Sequence, residues 1–339
     1  MKIAHIHVWD KKNKGDHAIV LAVQQLLKNN LPAVEIEDFP IEILKKIDAK
    51  NLKKINSNDL VVIGGGGIYY HWFMPFDIEI IKKIKVPIVI FGVGYIREIG
   101  SRKLSALEKN SIVALNKIAK LVSVRDYYTK SFLIKSGVAK EKINIIGDPA
   151  IFLAEDKINN LELNKKIKIG LNLNYSGWLG FGKYEKNIID SYNDVIDYFT
   201  KKEGAEFFYL LHHPDEKRIV KKLKLKNIKI IDLAPGKQKY FYSQLDLIIG
   251  MMLHSVVLSF GANTPEINVA YDIRNKNFAK FINCPELVLP SDKLKKGQLL
   301  NLAKLVIKNK EKYKDKFHKR KNRIWQKHQY FLEKIKKLY

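Results

Sequence analysis

The sequence predicts an α/β chain of two Rossmann-like domains, each built on a doubly wound parallel sheet, with a cleft between them and helices at the C-terminal end. Three observations carry this. Short β-rich runs alternate with helix-length segments throughout the 339 residues. The cores of those runs, such as Leu60-Val61-Val62-Ile63 and Ile88-Val89-Ile90-Phe91, are continuously apolar, as strands covered on both faces require. The pattern also runs twice, on either side of a polar, Asn-rich, aperiodic stretch at 155–166.

In the first half, strands are expected at 2–9, 34–39, 59–63, 86–91, 121–125 and 143–147. The second half repeats them at 166–173, 205–211, 228–232, 245–249, 266–271 and 286–289. The expected domains are therefore 1–155 and 166–292, with 293–339 as basic helices packing back across them. In that last segment Leu299, Leu302, Val306 and Ile307 recur at helical spacing, followed by a second stripe of Phe317, Ile324, Phe331, Ile335 and Leu338.

Composition narrows the function classes. Hydrophobic residues make up 46% of the chain, which fits a core-forming protein and excludes wholesale disorder. The net charge is +26, and residues 293–339 hold 17 Lys and Arg against 3 Asp and Glu. That excess calls for an anionic partner. The plain reading of the tail is a pair of docked helices with solvated lysines; the sharper one lays the lysine face against anionic lipid. Nucleic acid is disfavoured, because no zinc-finger, RNP or helix-turn-helix signature is present. A single cysteine, Cys284, excludes an internal disulfide and any cysteine-built metal site. The N-terminal residues lack the apolar core of a signal peptide, and the apolar stretch Leu245 to Ala262 is broken by Asp246, Gly250 and His254. A cytoplasmic enzyme is expected, peripheral to the inner face of the membrane if the tail meets lipid.

Four strand-end loops carry the chemistry, since ligands of doubly wound sheets bind beyond the carboxyl ends of the strands. In Asn13-Lys14-Gly15-Asp16, Asp16 is a natural helix cap, with a ligand role as the rival reading. Gly64-Gly65-Gly66-Gly67 follows a strand and is read as a loop whose bare N–H groups lie near a ligand; it is neither a Walker A loop nor GxGxxG, which disfavours NAD. In Ser123-Val124-Arg125-Asp126, Arg125 either grips an anion or pairs structurally with Asp126. His254, in Gly250-Met251-Met252-Leu253-His254-Ser255, stands where a helix begins and suits proton transfer. His212-His213-Pro214-Asp215 hints at metal, but Pro214 blocks helical ligand spacing.

Together these motifs resemble the polysaccharide pyruvyl transferase family. The resemblance spans nearly the whole chain, through Lys14-Gly15-Asp16, Gly64–Gly67, Gly92-Val93-Gly94, Ser123–Asp126, Gly147-Asp148-Pro149-Ala150, Leu253-His254-Ser255 and the stretch Pro265 to Asp272. It implies a GT-B-like pair of domains and transfer of the enolpyruvyl unit of phosphoenolpyruvate onto a sugar of a cell-surface polysaccharide or its lipid-linked precursor. The implied product is a pyruvate ketal. It also implies that Arg125 and His254 serve activity, matching the family's SxRD and Arg-Leu-His motifs. Here the chain departs: Met252 stands where that arginine is usual. Lys237, Lys239, Arg274 and Lys276 flank the relevant strand ends and are substitutes for it. Donor binding is then expected from Gly65, Gly66, Gly67, Asp16, Ser255, Lys237 and Arg274, and a sugar platform from Tyr175, Trp178 and Trp72. The scheme uses no metal and no cofactor beyond the donor. Two rivals stay open: a GT-B glycosyltransferase using a nucleotide sugar, and a non-catalytic glycan-binding member, for which Met252 is the support.

Overall fold

The computed structural model describes residues 1–338 apart from 98–101, 160, 162, 164–165, 175–180 and 225–227. Twelve strands form two six-stranded sheets in which the pairings are parallel. The first sheet contains β1 (Lys2–His7), β2 (Glu35–Pro40), β3 (Leu60–Tyr69), β4 (Ile88–Tyr95), β5 (Leu121–Val124) and β6 (Ile143–Ile145). The second contains β7 (Lys168–Asn172), β8 (Glu206–Leu210), β9 (Lys229–Ile231), β10 (Leu247–Gly250), β11 (Glu266–Ala270) and β12 (Val288–Pro290). Each expected strand forms, and the architecture is the GT-B-like pair of Rossmann-type sheets.

One motif behaves differently from its sequence reading. The glycine run is not a loop: β3 continues through it, with Gly64 opposite Phe91 and Gly66 opposite Val93 of β4. Lacking side chains, this part of the strand lets Ile19 and Pro149 pack directly on its backbone at Gly65. The run therefore serves close packing of helix on sheet, with Gly64 and Gly66 registered against β4.

Strand order locates the site. The first sheet runs β2-β1-β3-β4-β5-β6, so the chain leaves β1 in one direction for β2 and returns on the other side as β3. The second runs β12-β11-β10-β7-β8-β9, with the same reversal between β7 and β10. At such a reversal adjacent loops diverge and leave a crevice at the strands' carboxyl ends. The two crevices of this molecule face each other.

The sheets are joined by a shared core. One apolar cluster reaches from Ala18, Ile19 and Val23 of the helix Lys14–Asn30 to Val257 and Phe260 of the helix Leu253–Gly261; a second, with Leu44, Ile112 and Val138, covers the other face of the first sheet. Each Val, Leu, Ile or Phe side chain among these, fully buried, contributes about 1.5–3 kcal/mol. Polar ties cross the junction too. Lys239 Nζ donates to the carbonyls of Ile151 and Leu153, 2.7 Å each, and the Lys14 N–H donates to His212 O at 3.0 Å.

The basic tail forms the helices Gln298–Lys308 and Lys310–Lys336. The longer one straps the halves together. Phe317 packs on Phe260 of the second half, with ring centroids 5.1 Å apart, and Phe331 packs on Phe91 of the first at 5.7 Å. Phe317, Ile324, Phe331 and Ile335 are buried, and many lysines between them face outward. Among the described residues no helix is long and apolar enough to cross a membrane.

Candidate functional site

The facing crevices enclose a cleft of about 580 Å³. Seven of its wall segments come from strand ends. The stretch after β1 supplies Trp9, Asp10, Asn13 and Asp16; the end of β3 and the turn after it supply Gly67, Tyr70, Trp72 and Phe73. Ile96 follows β4 and Arg125 follows β5. From the second half come Asn174 after β7, Met252, Leu253 and His254 after β10, and Tyr271 and Arg274 after β11.

Asp16 reaches the cleft because it is not the cap of its helix. Asn13 caps instead, its Oδ1 accepting from Gly15 N–H at 3.0 Å and Asp16 N–H at 3.4 Å. Asp16 falls in the first turn, and its carboxylate lies 3.9 Å from His254 Nε2. Burial and the nearby Asp10 push its carboxyl up to about 7, against the pull of Arg274 and Arg125. His254 shifts the opposite way. Burial, Arg125, His212 and Arg274 all hold its imidazole well below the ordinary 6.5, so the ring is neutral at pH 7. The approach of the two helices depends on Gly15: a Cβ there would fall 2.1 Å from His254 Cδ2.

Arg125 lines the cleft and makes the structural pair with Asp126 that one of its sequence readings expects. Nε donates to Asp126 at 3.3 Å and Nη1 to Asp148 at 3.5 Å, all three side chains being buried. Asp126 also caps the helix Tyr127–Lys135 by accepting from Thr129 N–H at 2.7 Å. Asp148 accepts from Ala150 N–H at 3.0 Å, so both carboxylates are fixed by backbone before they touch the guanidinium. Gly94 makes room for the side chain, since a Cβ there would lie 2.3 Å from Arg125 Nε. Among the described residues, Nη2, buried, has no hydrogen-bond partner, and neither has His254 Nδ1. Buried donors of this kind are costly unless a ligand completes them.

Met252 lines the cleft but brings no charge, and its N–H donates to Asn172 Oδ1 at 3.0 Å. Arg274 supplies a second guanidinium from the neighbouring strand end. Asp272 holds it, accepting from its N–H at 2.7 Å and its Nη2 at 2.9 Å.

Of the residues singled out from sequence, Asp16, Gly67, Trp72, Arg125, His254 and Arg274 meet in this cleft. Others do not. Gly65 and Gly66 are enclosed within β3. Ser255 is buried in its helix, its hydroxyl donating to Met252 O at 2.7 Å. Lys237 is exposed on the helix Pro235–Ser243, outside the cleft walls, and Lys239 is consumed by the interdomain carbonyls. Tyr175 and Trp178 lie outside the described residues. His212 and His213 do not converge on a metal: His212 Nε2 is 2.5 Å from the Tyr242 hydroxyl, and His213 Nδ1 accepts from Asp215 N–H at 3.3 Å. Trp9, Asp10, Tyr70 and Phe73 were not singled out. Asp148 was visible only as part of Gly147-Asp148-Pro149.

The family model of polysaccharide pyruvyl transferases matches residues 13–273. No curated protein is significantly similar to the chain in sequence. Among solved structures, a UDP co-structure of S. aureus MnaA is similar with TM-score 0.59 at 15% identity, covering 93% of this chain and 90% of that one. Anabaena Alr3699/HepE in complex with UDP-glucose gives 0.57 at 14% identity over 99% of both chains. UDP-GlcNAc 2-epimerase from Neisseria meningitidis gives 0.56 at 14% identity over 94% of each. At such identities the likeness is one of fold.

Proposed function

Because the chain belongs to the polysaccharide pyruvyl transferase family and is thereby a transferase, we propose that its cleft binds phosphoenolpyruvate and transfers the pyruvyl unit to two hydroxyls of a glycan, forming a ketal. The observation that carries the donor assignment is the pair of guanidiniums, Arg125 and Arg274, in one cleft with Arg125 Nη2 buried and unmatched. Phosphoenolpyruvate carries a phosphate and a carboxylate. Two fixed, partly desolvated cations suit such a ligand, and Arg274 takes the place left by Met252.

The opposed shifts of Asp16 and His254 give the proton carriers. At neutral pH His254 is a bare imidazole, and Asp16, its carboxyl pushed up to about 7, is able to carry a proton. In the proposed reaction an acceptor hydroxyl attacks C2 of the donor and gives its proton to His254, while Asp16 delivers a proton to C3, which becomes the methyl group. The second hydroxyl then displaces phosphate from C2 and closes the ring, its proton passing to the Asp16 carboxylate while the proton held by His254 leaves with the phosphate. Once the anionic donor neutralises the guanidinium field, His254 becomes a stronger base, timed to substrate arrival. A positioned base contributes about 10²–10⁴-fold. Trp9, Tyr70 and Trp72 crowd the outer side of the cleft, with Trp9 and Trp72 half or more exposed, a surface on which a sugar ring stacks. The acceptor is a cell-surface glycan or its lipid-linked precursor, and the lysine face of 293–339 lies toward anionic lipid in that case.

A second reading, a nucleotide-sugar enzyme, draws on the UDP and UDP-sugar complexes of the fold neighbours. One assay separates the two: phosphate release from phosphoenolpyruvate with and without glycan acceptor. Glycan-dependent release, reduced at least about 100-fold in His254→Ala, is expected. Turnover of a UDP-sugar with no phosphate release from phosphoenolpyruvate overturns the proposal.

A further inference from the structure

Beside the cleft, at the edge of the first sheet, His5 Nδ1, His7 Nε2 and a carboxylate oxygen of Asp38 lie within 4.8 Å of one another; among the described residues this is the one such His/Cys/Asp/Glu group. Strand register builds it. His5 and His7 are two apart on β1 and share a face, and the parallel neighbour β2 sets Asp38 opposite His5.

The far nitrogens of both rings are tied to backbone. His5 Nε2 is hydrogen-bonded to the Gly64 carbonyl, and His7 Nδ1 lies 3.0 Å from the Val8 carbonyl. A carbonyl only accepts, so these nitrogens carry protons, and in a neutral ring the other nitrogen offers a lone pair. Those lone-pair nitrogens face Asp38 Oδ1, at 3.9 Å from His5 and 3.0 Å from His7. Metal-ligating histidines are anchored in this way, the outer N–H held by a carbonyl and the inner nitrogen bare. Three converging acceptors repel unless a cation or shared proton lies among them.

Gln24 is the nearest neighbour that partly relieves this, its Nε2 donating to Asp38 Oδ1 at 2.6 Å and standing 3.5 Å from His5 Nδ1. Turning the amide over brings Oε1 to the same place and adds an oxygen ligand. Around a tetrahedral zinc ion with bonds of about 2.0–2.2 Å, neighbouring ligand atoms stand about 3.3–3.5 Å apart. The two separations to Asp38, 3.0 and 3.9 Å, bracket that value and the third lies within 4.8 Å, so side-chain rotations complete the geometry.

We propose that His5, His7 and Asp38, with Gln24, form a binding site for a divalent transition-metal ion of the zinc class. The site serves the cleft by bracing its wall. The His7 ring stacks on Trp9, with centroids 5.3 Å apart and planes 9° from parallel, and Trp9 lines both the cleft and the 130 Å³ hollow by which Asp38 and Gln24 meet solvent. Two imidazoles select against magnesium and calcium. The sequence reading called for no metal because the ligands come together only across strands: Asp38 is 31 residues from His7.

The test is a titration of chelator-stripped protein with zinc and with cobalt, reading metal bound per chain after gel filtration and the visible absorption of bound cobalt. One ion per chain is expected, undisplaced by excess magnesium. His7→Gln and Asp38→Asn should each weaken it about 100-fold; the Asp38 side chain is 38% exposed, so the isosteric amide keeps the fold, checked by circular dichroism. His318→Ala, on an exposed position of the C-terminal helix, should bind as the parent does. No binding to the parent protein, or equal binding by Asp38→Asn (an adventitious ion only), overturns the proposal. Because the readout is binding, its failure is separate from any failure of the transferase reading.

Discussion

Asp16 shows how one side chain changes meaning when its surroundings become known. In sequence it is a cap beside a glycine; in the fold Asn13 caps, and Asp16 turns to His254. Its raised value of about 7, against an ordinary 3.8, means that the native state keeps a proton the unfolded chain releases. The resulting stabilisation is complete below about pH 4, declines as the pH rises, and is gone above about pH 7. Asp16→Asn removes that loss. Between pH 5 and pH 8 the variant should gain about 2–3 kcal/mol on the parent, since a tenfold difference in proton affinity between the folded and unfolded chain is worth about 1.4 kcal/mol. Urea denaturation at both pH values checks this, and parallel curves contradict it. Arg125 was half legible. Its place after a strand pointed to the cleft, but its two carboxylate partners and the unmatched Nη2 depend on Asp148, which arrives from a separate strand end.

Among the elements, apolar runs carried the fold well. All twelve strands lie where they were expected; central ones such as β3 and β4 are marked by continuous apolar runs, because a strand buried on both faces has little choice of composition, whereas the edge strand β2 is polar and only partly buried. The glycine run misled for the same reason in reverse: four residues without side chains look like a loop, whereas here they lie within β3, registered against β4 and packed under Ile19 of the helix Lys14–Asn30. The meeting of two helix N-termini at Gly15 and His254 has no sequence signal at all. It predicts that Gly15→Ala, ordinarily worth up to about 1 kcal/mol of helix stability, instead destabilises by about 1–3 kcal/mol through overpacking. The same variant should lose more than about 10-fold in turnover as the imidazole is displaced. Thermal denaturation together with the phosphate assay checks it. A more stable and fully active variant contradicts it.

Across the whole molecule, the function depends on two sheet reversals held face to face. The aromatic side of the cleft, Trp9, Tyr70 and Phe73, was invisible in sequence because loop residues acquire a direction only when the second half docks. That docking is secured by the shared apolar core, the Lys239 carbonyl ties and the strap from Phe317 to Phe331. The tail's apolar stripe was readable at helical spacing as helices packing back across the domains, and the contacts with Phe260 and Phe91 show it bridging both halves. If the proposed function holds, this junction creates a site for a small dianionic acid, and calorimetric titration with phosphoenolpyruvate probes that site without needing the acceptor. Saturable binding to the parent protein is expected, weakened about 30-fold or more in Arg274→Ala, as loss of one cationic partner costs at least about 2 kcal/mol. Absence of heat with phosphoenolpyruvate, alongside saturable binding of a UDP-sugar, would contradict it.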